Sequence, residues 1–491
     1  MEVGLNEAEA FHALQQKLIG MWPAIGGPTD EHKTMVVVPS VSMEFPPELG
    51  PVLPAYEERY LFLLLLLAQP RAVVIYLTGQ PIHPSIVDYF LSLVPGPHSA
   101  TARSRLHLVS IGDPSPRPLT QKILERPRTL ERIRALITDP DRAHLVPFMT
   151  SELEEQLAVA LAIPVYGADP RLLGHGTKTG SRRLFASAGV PHPRGIEGLH
   201  SPADVIAAAR ELAAAQPPVT QAILKLNVGV GGYGNALVDV TATAEGTLTA
   251  SLANVESDGL PATYLETLAR DGGIIEERIV GREVRSPSVQ LRIAPGGEVE
   301  LLSTHDQILG GPSGQEYYGA RFPADPGYAG MLGDAGLKVG GLLAREGVLG
   351  RFAIDFVATK SSAEWDVRAI EINLRKGGTT HPFLTLQLLT GGEYDAARAE
   401  FLAATGPKCY VATDHFTDER LVRLTPDDLL ELIAADDIIW DATRQNGVIF
   451  HMISALPVAG RVGLTAIGNT LDHAQELHDR ATARLIEVAS S

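Results

Sequence analysis

The sequence predicts an α/β protein in three parts: a parallel sheet flanked by helices, a strand-rich middle, and a small α+β tail. Three observations predict it. Short apolar runs alternate with helical periods up to about residue 165. From about 166 closely spaced strand patterns take over. Among them "RFAIDFVATKSSAEWDVRAIEINLRKGGTTHP" (351–382) reads as two apolar strands around a polar turn, each with a carboxylate in its middle.

In the first part, "TMVVVPS" (34–40), "AVVIYLTG" (72–79) and "LHLVSIG" (106–112) are short buried strands. Helical periods fall at 7–20, 55–68, 84–94 and 118–138, and prolines such as Pro81, Pro95 and Pro114 punctuate the loops. In the second part, "TKTGSRRLFASAGVPHP" (177–193) is a helix ended by Gly189 and Pro191. Strands are expected near 220–226, 235–239, 273–280, 283–293 and 298–309, then a helix over 326–346 and the acid-bearing hairpin. The tail holds a helix at 426–435, the strands "GVIFHMI" and "VGLTAIG", and a helix over 472–488. The expected domains are 1–165, 166–405 and 406–491, with a glycine-loop lid over about 195–280.

A chain of 491 residues is too long for one core. Its net charge of −17 argues against a broad nucleic-acid surface. The single cysteine, Cys409, permits no disulfide within the chain and no cysteine metal site. The longest apolar run, "LFLLLLLA" (61–68), is too short to span a bilayer, and "MEVGLNEAEAFHAL" lacks the pattern of a signal peptide. A cytoplasmic protein without membrane or nucleic-acid partners is the expectation.

In the hairpin, Asp355 and Glu371 are equidistant from Ala363 in the turn. Without a bulge they stand opposite each other. Phe352, Ile354 and Phe356 then face Leu374, Ile372 and Ile370 on one side of the sheet, and Asp355, Glu371 and Asn373 share the other. Opposed like charges are destabilising unless a cation lies between them, and two carboxylates with an amide oxygen are hard ligands that suit Mg²⁺. The competing reading is a solvent-exposed sheet face. Arg375 continues the polar face, Arg351 shares it at the other end, and Lys376 alternates away unless the turn twists it back.

"AILKLNVGVGGYGNALVDV" (222–240) is strand, glycine loop, strand. Gly229, Gly231 and Gly234 fit G-x-G-x-x-G, but no helix follows, so this is not a dinucleotide fingerprint. With Gly232 they form a loop able to fold over phosphates and donate backbone N–H groups, and Lys225 on the entering strand is placed to neutralise phosphate charge.

A lysine-led helix, a second lysine before a glycine hairpin, an acidic hinge and an Asp…Glu-x-Asn hairpin stand in that order. This order resembles the ATP-grasp superfamily over roughly 166–400, and "EINLRKGGTTHP", "VYGADP" and "LERPR" make it similar to the pheganomycin-type peptide ligases. The resemblance implies an ATP-grasp fold with an N-terminal α/β pre-domain and a small C-terminal domain. It implies that Lys178, Lys225 and the loop Gly229–Gly234 bind the nucleotide phosphates, and that "IIEERIVGREV" (274–284) is the adenine hinge. Glu276 or Glu277 and the backbone at Ile279 would meet the base and Glu283 the ribose, while Asp355, Glu371 and Asn373 would hold two Mg²⁺ ions.

The implied reaction joins a small-molecule carboxylate to an amine or peptide acceptor. ATP phosphorylates the carboxylate, the amine displaces phosphate from the acyl phosphate, and ADP is released. Such chemistry requires charge neutralisation and alignment, for which Arg375, Arg351 and Lys376 are the catalytic candidates. His305, Asp306, Gln307 and Arg321, in the polar stretch 303–323, are candidates to touch substrate, with His305 and His381 as bases. Lys408, His415 and His451 in the tail either join the site or pack. The N-terminal domain either selects a substrate or forms a homo-oligomer interface. Two rivals stand beside the ligase: a subunit resembling the biotin-dependent carboxylases, and an ATP-binding module without catalysis.

Overall fold

The structure is a computed structural model that describes residues 7–43, 47–229, 235–240, 264–311, 314, 316–360, 364–435 and 437–490. Gly231, Gly232 and Gly234 of the glycine loop, and Ala363 at the hairpin turn, lie outside the described residues.

The first described elements are a helix, Glu7–Ile25, and a parallel sheet of β1 (Lys33–Val38), β2 (Ala72–Thr78), β3 (Leu106–Ser110) and β4 (Ala143–Pro147) in the order β3-β2-β1-β4. Every residue of β1 is buried, as a strand covered on both faces requires. Three of the strands match the apolar runs. The fourth, "AHLVP", is missed because His144 interrupts it and Pro147 closes it after five residues. The helix expected over 118–138 is two, Leu119–Leu124 and Pro127–Leu136, because proline cannot continue the first. That expected over 55–68 is an α-helix, Leu53–Glu58, followed by a 3₁₀ segment, Leu61–Ala68, with all but Leu66 and Ala68 buried.

A small antiparallel sheet follows: β5 (Gly195–Leu199), β6 (Gln221–Leu226), β7 (Asn235–Asp239) and β8 (Gly273–Glu277), ordered β5-β8-β6-β7. Next come β9 (Glu283–Arg285), β10 (Pro287–Ile293), β11 (Val299–Gly310), β12 (Glu316–Phe322), β13 (Gly350–Lys360) and β14 (Trp365–Asn373) of a large sheet. The helix Pro326–Arg345 covers one side of it, with Leu332, Val339 and Leu343 meeting Val289, Leu291 and Phe352.

The sheet continues through β15 (Glu393–Asp395) and β16 (Glu400–Ala403), and the tail supplies β17 (Gly406–Thr417), β18 (Gly447–His451) and β19 (Arg461–Gly468) to it. β17 pairs with β12, placing Phe322 opposite Tyr410. One apolar core then runs from Met35, Val74 and Leu64 through Phe322, Phe383 and Tyr410 to Ile449 and Leu485. The first and last parts of the chain thus share a core. The helix Thr380–Thr390, which the sequence reading missed, is buried along nearly its whole length and shows no strong apolar stripe.

The start of β13 is locked against the N-terminal sheet. Gly350 has φ +97°, and a Cβ there would stand 2.9 Å from Gly167 Cα, so only glycine permits the approach.

Candidate active site

The hairpin register places Asp355 opposite Glu371. The ladder is not regular, however. It shifts between Asp355 and Phe356, so Phe356 pairs with Ala369 and not with Ile370. The expected apolar face therefore changes by one residue: Ala369 enters the core with Phe352, Ile354, Phe356, Ile372 and Leu374, and Ile370 leaves it. Such a bulge bends a strand locally, here beside the acid pair.

Both acids have hydrogen-bonding company. Asp355 Oδ1 accepts from Gln307 Nε2 at 2.6 Å and Oδ2 from Asn373 Nδ2 at 2.9 Å. Glu371 Oε2 lies 2.7 Å from Lys178 Nζ. Burial, and then the charge of Glu371, pushes the Asp355 carboxyl up to about 7. Burial alone would raise Glu371, but Lys178, helped by Lys225 and Arg375, holds it below its ordinary value. Asp355 is thus the less compensated of two opposed oxygen donors. A divalent cation relieves that repulsion, and Asp355, Glu371 and the Asn373 amide oxygen are the donor type Mg²⁺ takes.

Lys178 opens the helix Lys178–Ala188, which Thr177 caps by accepting from Gly180 N. Its backbone N–H donates to Asn227 O at 3.1 Å, tying this helix start to the end of β6. Lys225, on β6, lies 2.6 Å from Glu276 Oε1 on β8, and Arg182 Nη1 lies 3.1 Å from Oε2 of the same acid. The structure thus gathers Lys178, Lys225, Glu276 and Glu371 at one buried seam between the small and large sheets. The adjacent Glu277 points the other way, as strand alternation demands, and is clamped by Arg194 at 2.7 Å and Arg368 at 2.8 Å. Ile279 lies half-buried in the connection after β8, and Glu283 begins β9 paired with Arg285 at 2.7 Å. Gly229 leads out of the described part of the glycine loop.

Arg375 acts electrostatically on both acids, while its own hydrogen bonding is slight: Nη1 reaches Lys376 O at 3.3 Å. Its guanidinium stands 5.8 Å from the centre of the Phe148 ring, and Arg59 stands 5.6 Å from the same ring. Phe148, Arg59 and Tyr60 come from the N-terminal sheet region and were not among the expected site residues. For Arg59 and Tyr60 the available signal was an arginine set directly before a long apolar run, "RYLFLLLLLA".

Several expectations are corrected. Lys376 does turn away: Nζ donates to Pro147 O, so it cannot also face the acid pair. His305 is fully buried, bonded to Tyr410 Oη at 2.7 Å and packed on Phe322 and Phe383, and burial pushes its imidazole down to about 3. It is a core histidine, shut off from solvent. Asp306 is committed to Tyr328 Oη and to Asp325 N, at the start of the helix Pro326–Arg345. Arg321 is exposed and reaches Gln475 of the C-terminal helix at 3.3 Å. Of the four residues expected to touch substrate, Gln307 alone contacts the acid pair. Arg351 faces Tyr166, Arg292, Glu300 and Tyr60. His381 and His451 both lie within 3.0 Å of Asp414 Oδ1, whose second oxygen pairs with Arg59 at 2.8 Å. Lys408 is bound to Asn469 at 2.6 Å, and His415 stacks on Tyr318.

The part of the chain that holds this arrangement is similar to known proteins. The family model described as IQCH-like, ATP-grasp matches residues 173–257 and 260–397, which span the lysine seam and the acid hairpin. The PGM1 C-terminal domain model matches residues 428–481. The L-propargylglycine--L-glutamate ligase of Streptantibioticus cattleyicolor is 29% identical, over 98% of this chain and 97% of its own. IQ motif-containing protein H of Danio rerio is 26% identical over 75% of this chain, which spans 40% of that protein. Among solved structures, biotin carboxylase from Campylobacter jejuni superposes with a TM-score of 0.54 at 14% identity, covering 94% of this chain and 96% of its own. An ADP complex of N5-carboxyaminoimidazole ribonucleotide synthetase gives 0.52 at 12% identity, covering 95% and 99%.

Proposed function

We infer, from the premise that this chain is an ATP-grasp carboxylate–amine ligase, that it activates a carboxylate as an acyl phosphate and passes the acyl group to an amino acid or peptide amine. The observation that carries this reading is the facing pair Asp355 and Glu371 with Lys178 on one of them. The likeness to a glutamate ligase over nearly the whole chain supports the substrate class: a small-molecule acid and an amine.

In this reading Lys178 and Lys225 exchange part of their present pairing with Glu371 and Glu276 for the phosphates of ATP. Glu276, Ile279 and Glu283 line the nucleoside end, and Gly229 to Gly234 close over the phosphates. Asp355, Glu371 and Asn373 would hold two Mg²⁺ ions, which when bound neutralise phosphate charge and fix its alignment. The γ-phosphoryl group passes from ATP to a carboxylate oxygen of the donor, the bond to the β-phosphate oxygen breaks, and ADP forms. Arg375, with few hydrogen bonds of its own, meets first the negative charge on that phosphoryl group and then the oxyanion formed when the amine attacks the acyl carbon. Gln307 holds Asp355 in place. Closure of the seam excludes water, which would otherwise hydrolyse the acyl phosphate.

The test is incubation of the protein with ATP, Mg²⁺ and pairs drawn from amino acids and short peptides, L-glutamate among them. ADP and phosphate in proportion to an amide product are expected. AMP and pyrophosphate as the obligatory products would contradict the mechanism. Bicarbonate-dependent turnover stimulated by free biotin would favour the carboxylase alternative, and nucleotide binding without turnover a module lacking catalysis.

A further inference from the structure

We infer that the junction between the N-terminal sheet and the start of β13 seats a second carboxylate of one of the two substrates, with Arg351 as its counter-ion. This rests on the ligase reading above, which leaves both substrates unnamed.

Arg351 follows Gly350, whose backbone contact with Gly167 sets the guanidinium beside Tyr166. Arg351 Nη1 is shut off from solvent and has no hydrogen-bond partner among the described residues, and the buried Tyr166 hydroxyl has none there either. Two neighbouring buried donors thus have no acceptor among the described residues. Glu300, a carboxylate that acts on Arg351, is already held by Arg292 at 2.7 Å. The neighbouring cations make matters worse. Burial, and then the charge of Arg351, pushes the Lys376 ammonium down to about 7, and Lys376 in turn acts on buried His144, whose Nδ1 is also unpartnered.

Tyr60 links this corner to the reacting centre, since Arg59, Arg375 and Arg351 all act on it. Arg59 is matched by Asp414, and Arg375 faces Asp355 and Glu371. Arg351 is the guanidinium of the three left without a matched carboxylate. Unpaired buried donors are costly, and one carboxylate accepting from Arg351 and Tyr166 would satisfy both with charge-assisted bonds. Arg351 and Asp355 lie four residues apart on one strand face, about 13 Å between Cα atoms. A substrate with its reacting carbon at Arg375 and its chain running along buried Tyr60 would end on Arg351. The distal group is either the α-carboxylate of the amine acceptor or the second carboxylate of a dicarboxylic donor.

The experiment compares wild type with Arg351→Gln and Arg351→Lys on an amino acid acceptor against its α-amide, and on a dicarboxylic donor against its monoamide. KM for the carboxylate form should rise on the order of 100-fold in R351Q, as for loss of one partner of a buried charged pair. kcat and KM for ATP should stay nearly unchanged, as should KM for the amide, and R351K should recover part of the loss. The arm that responds identifies which substrate carries the group. Equal effects on acid and amide in both arms would overturn the proposal. Calorimetric titration of the nucleotide-free protein with L-glutamate, with L-glutamine and with the α-amide of L-glutamate reads the seat without turnover, since the two amides each lack one of the two carboxylates. R351Q should abolish the preference for glutamate over whichever amide binds less tightly, and no preference over either amide in wild type would count against the seat even if no ligase activity were found.

Discussion

Asp355 and Glu371 are separated by fifteen residues of chain and brought face to face by one hairpin register, and their partners differ: Lys178 salt-bridges Glu371, whereas Gln307 and Asn373 donate to Asp355. Replacing Asp355 with asparagine should lower ADP formation by at least about 100-fold, because the substituted site loses a charged oxygen ligand. Steady-state assays at saturating ATP check this, and unaltered ADP production in the Asp355→Ala, Glu371→Ala double variant would sink the proposed site. The pH dependence follows with its sign. Asp355 is raised from 3.8 to about 7, so the stability it favours is present below the unfolded value and is lost as pH rises through about 7. Mg²⁺ competes with that proton. The rise in melting temperature on adding Mg²⁺ should therefore be larger near about pH 8 than near about pH 5.5, and D355N should flatten the difference.

Between elements, the contact that joins the N-terminal helix region to β17 is the Arg59–Asp414 pair, with both side chains nine-tenths or more buried. His381 and His451 add two imidazoles to the same carboxylate. Removing one partner leaves an uncompensated buried charge, so Asp414→Ala should cost about 3–5 kcal/mol in urea unfolding. The double replacement Arg59→Met, Asp414→Leu should recover much of that loss, since the desolvated pair is exchanged for packing. Burial holds His381 down at about 4 against 6.5, outweighing Asp414. A histidine kept neutral in the fold contributes stability above 6.5 that is lost as pH falls through about 4. Melting curves between those values should show it, and His381→Gln should weaken the slope.

At the scale of the whole molecule, the tail does not pack as an appendage. β17 sits between β12 and β19 in the large sheet, and its core residues join those of the parallel sheet. Deleting 406–490 would strip a strand from β12 and uncover Phe322 and Phe383. The truncated chain should be insoluble or lack a cooperative unfolding transition, as read by circular dichroism. Among the described residues no helix is long and apolar enough to cross a membrane.

Much of this was legible in the sequence because local rules speak loudly there. Apolar runs identified three of the four parallel strands, the glycine and proline stops ended the helix after Lys178, and counting from Ala363 paired Asp355 with Glu371. Lys178 and Glu371 could be named as members of one site only through the ordered motif, since nothing local says that residues so far apart meet. Tertiary structure alone decided the rest. The bulge after Asp355 exchanged Ile370 for Ala369 in the core. Packing turned His305 into an aromatic core and Lys376 onto a carbonyl, and it brought Arg59, Tyr60 and Phe148 from the first part of the chain beside Arg375. Periodicity records which face of an element is buried, whereas the partner that buries it is chosen by long-range packing.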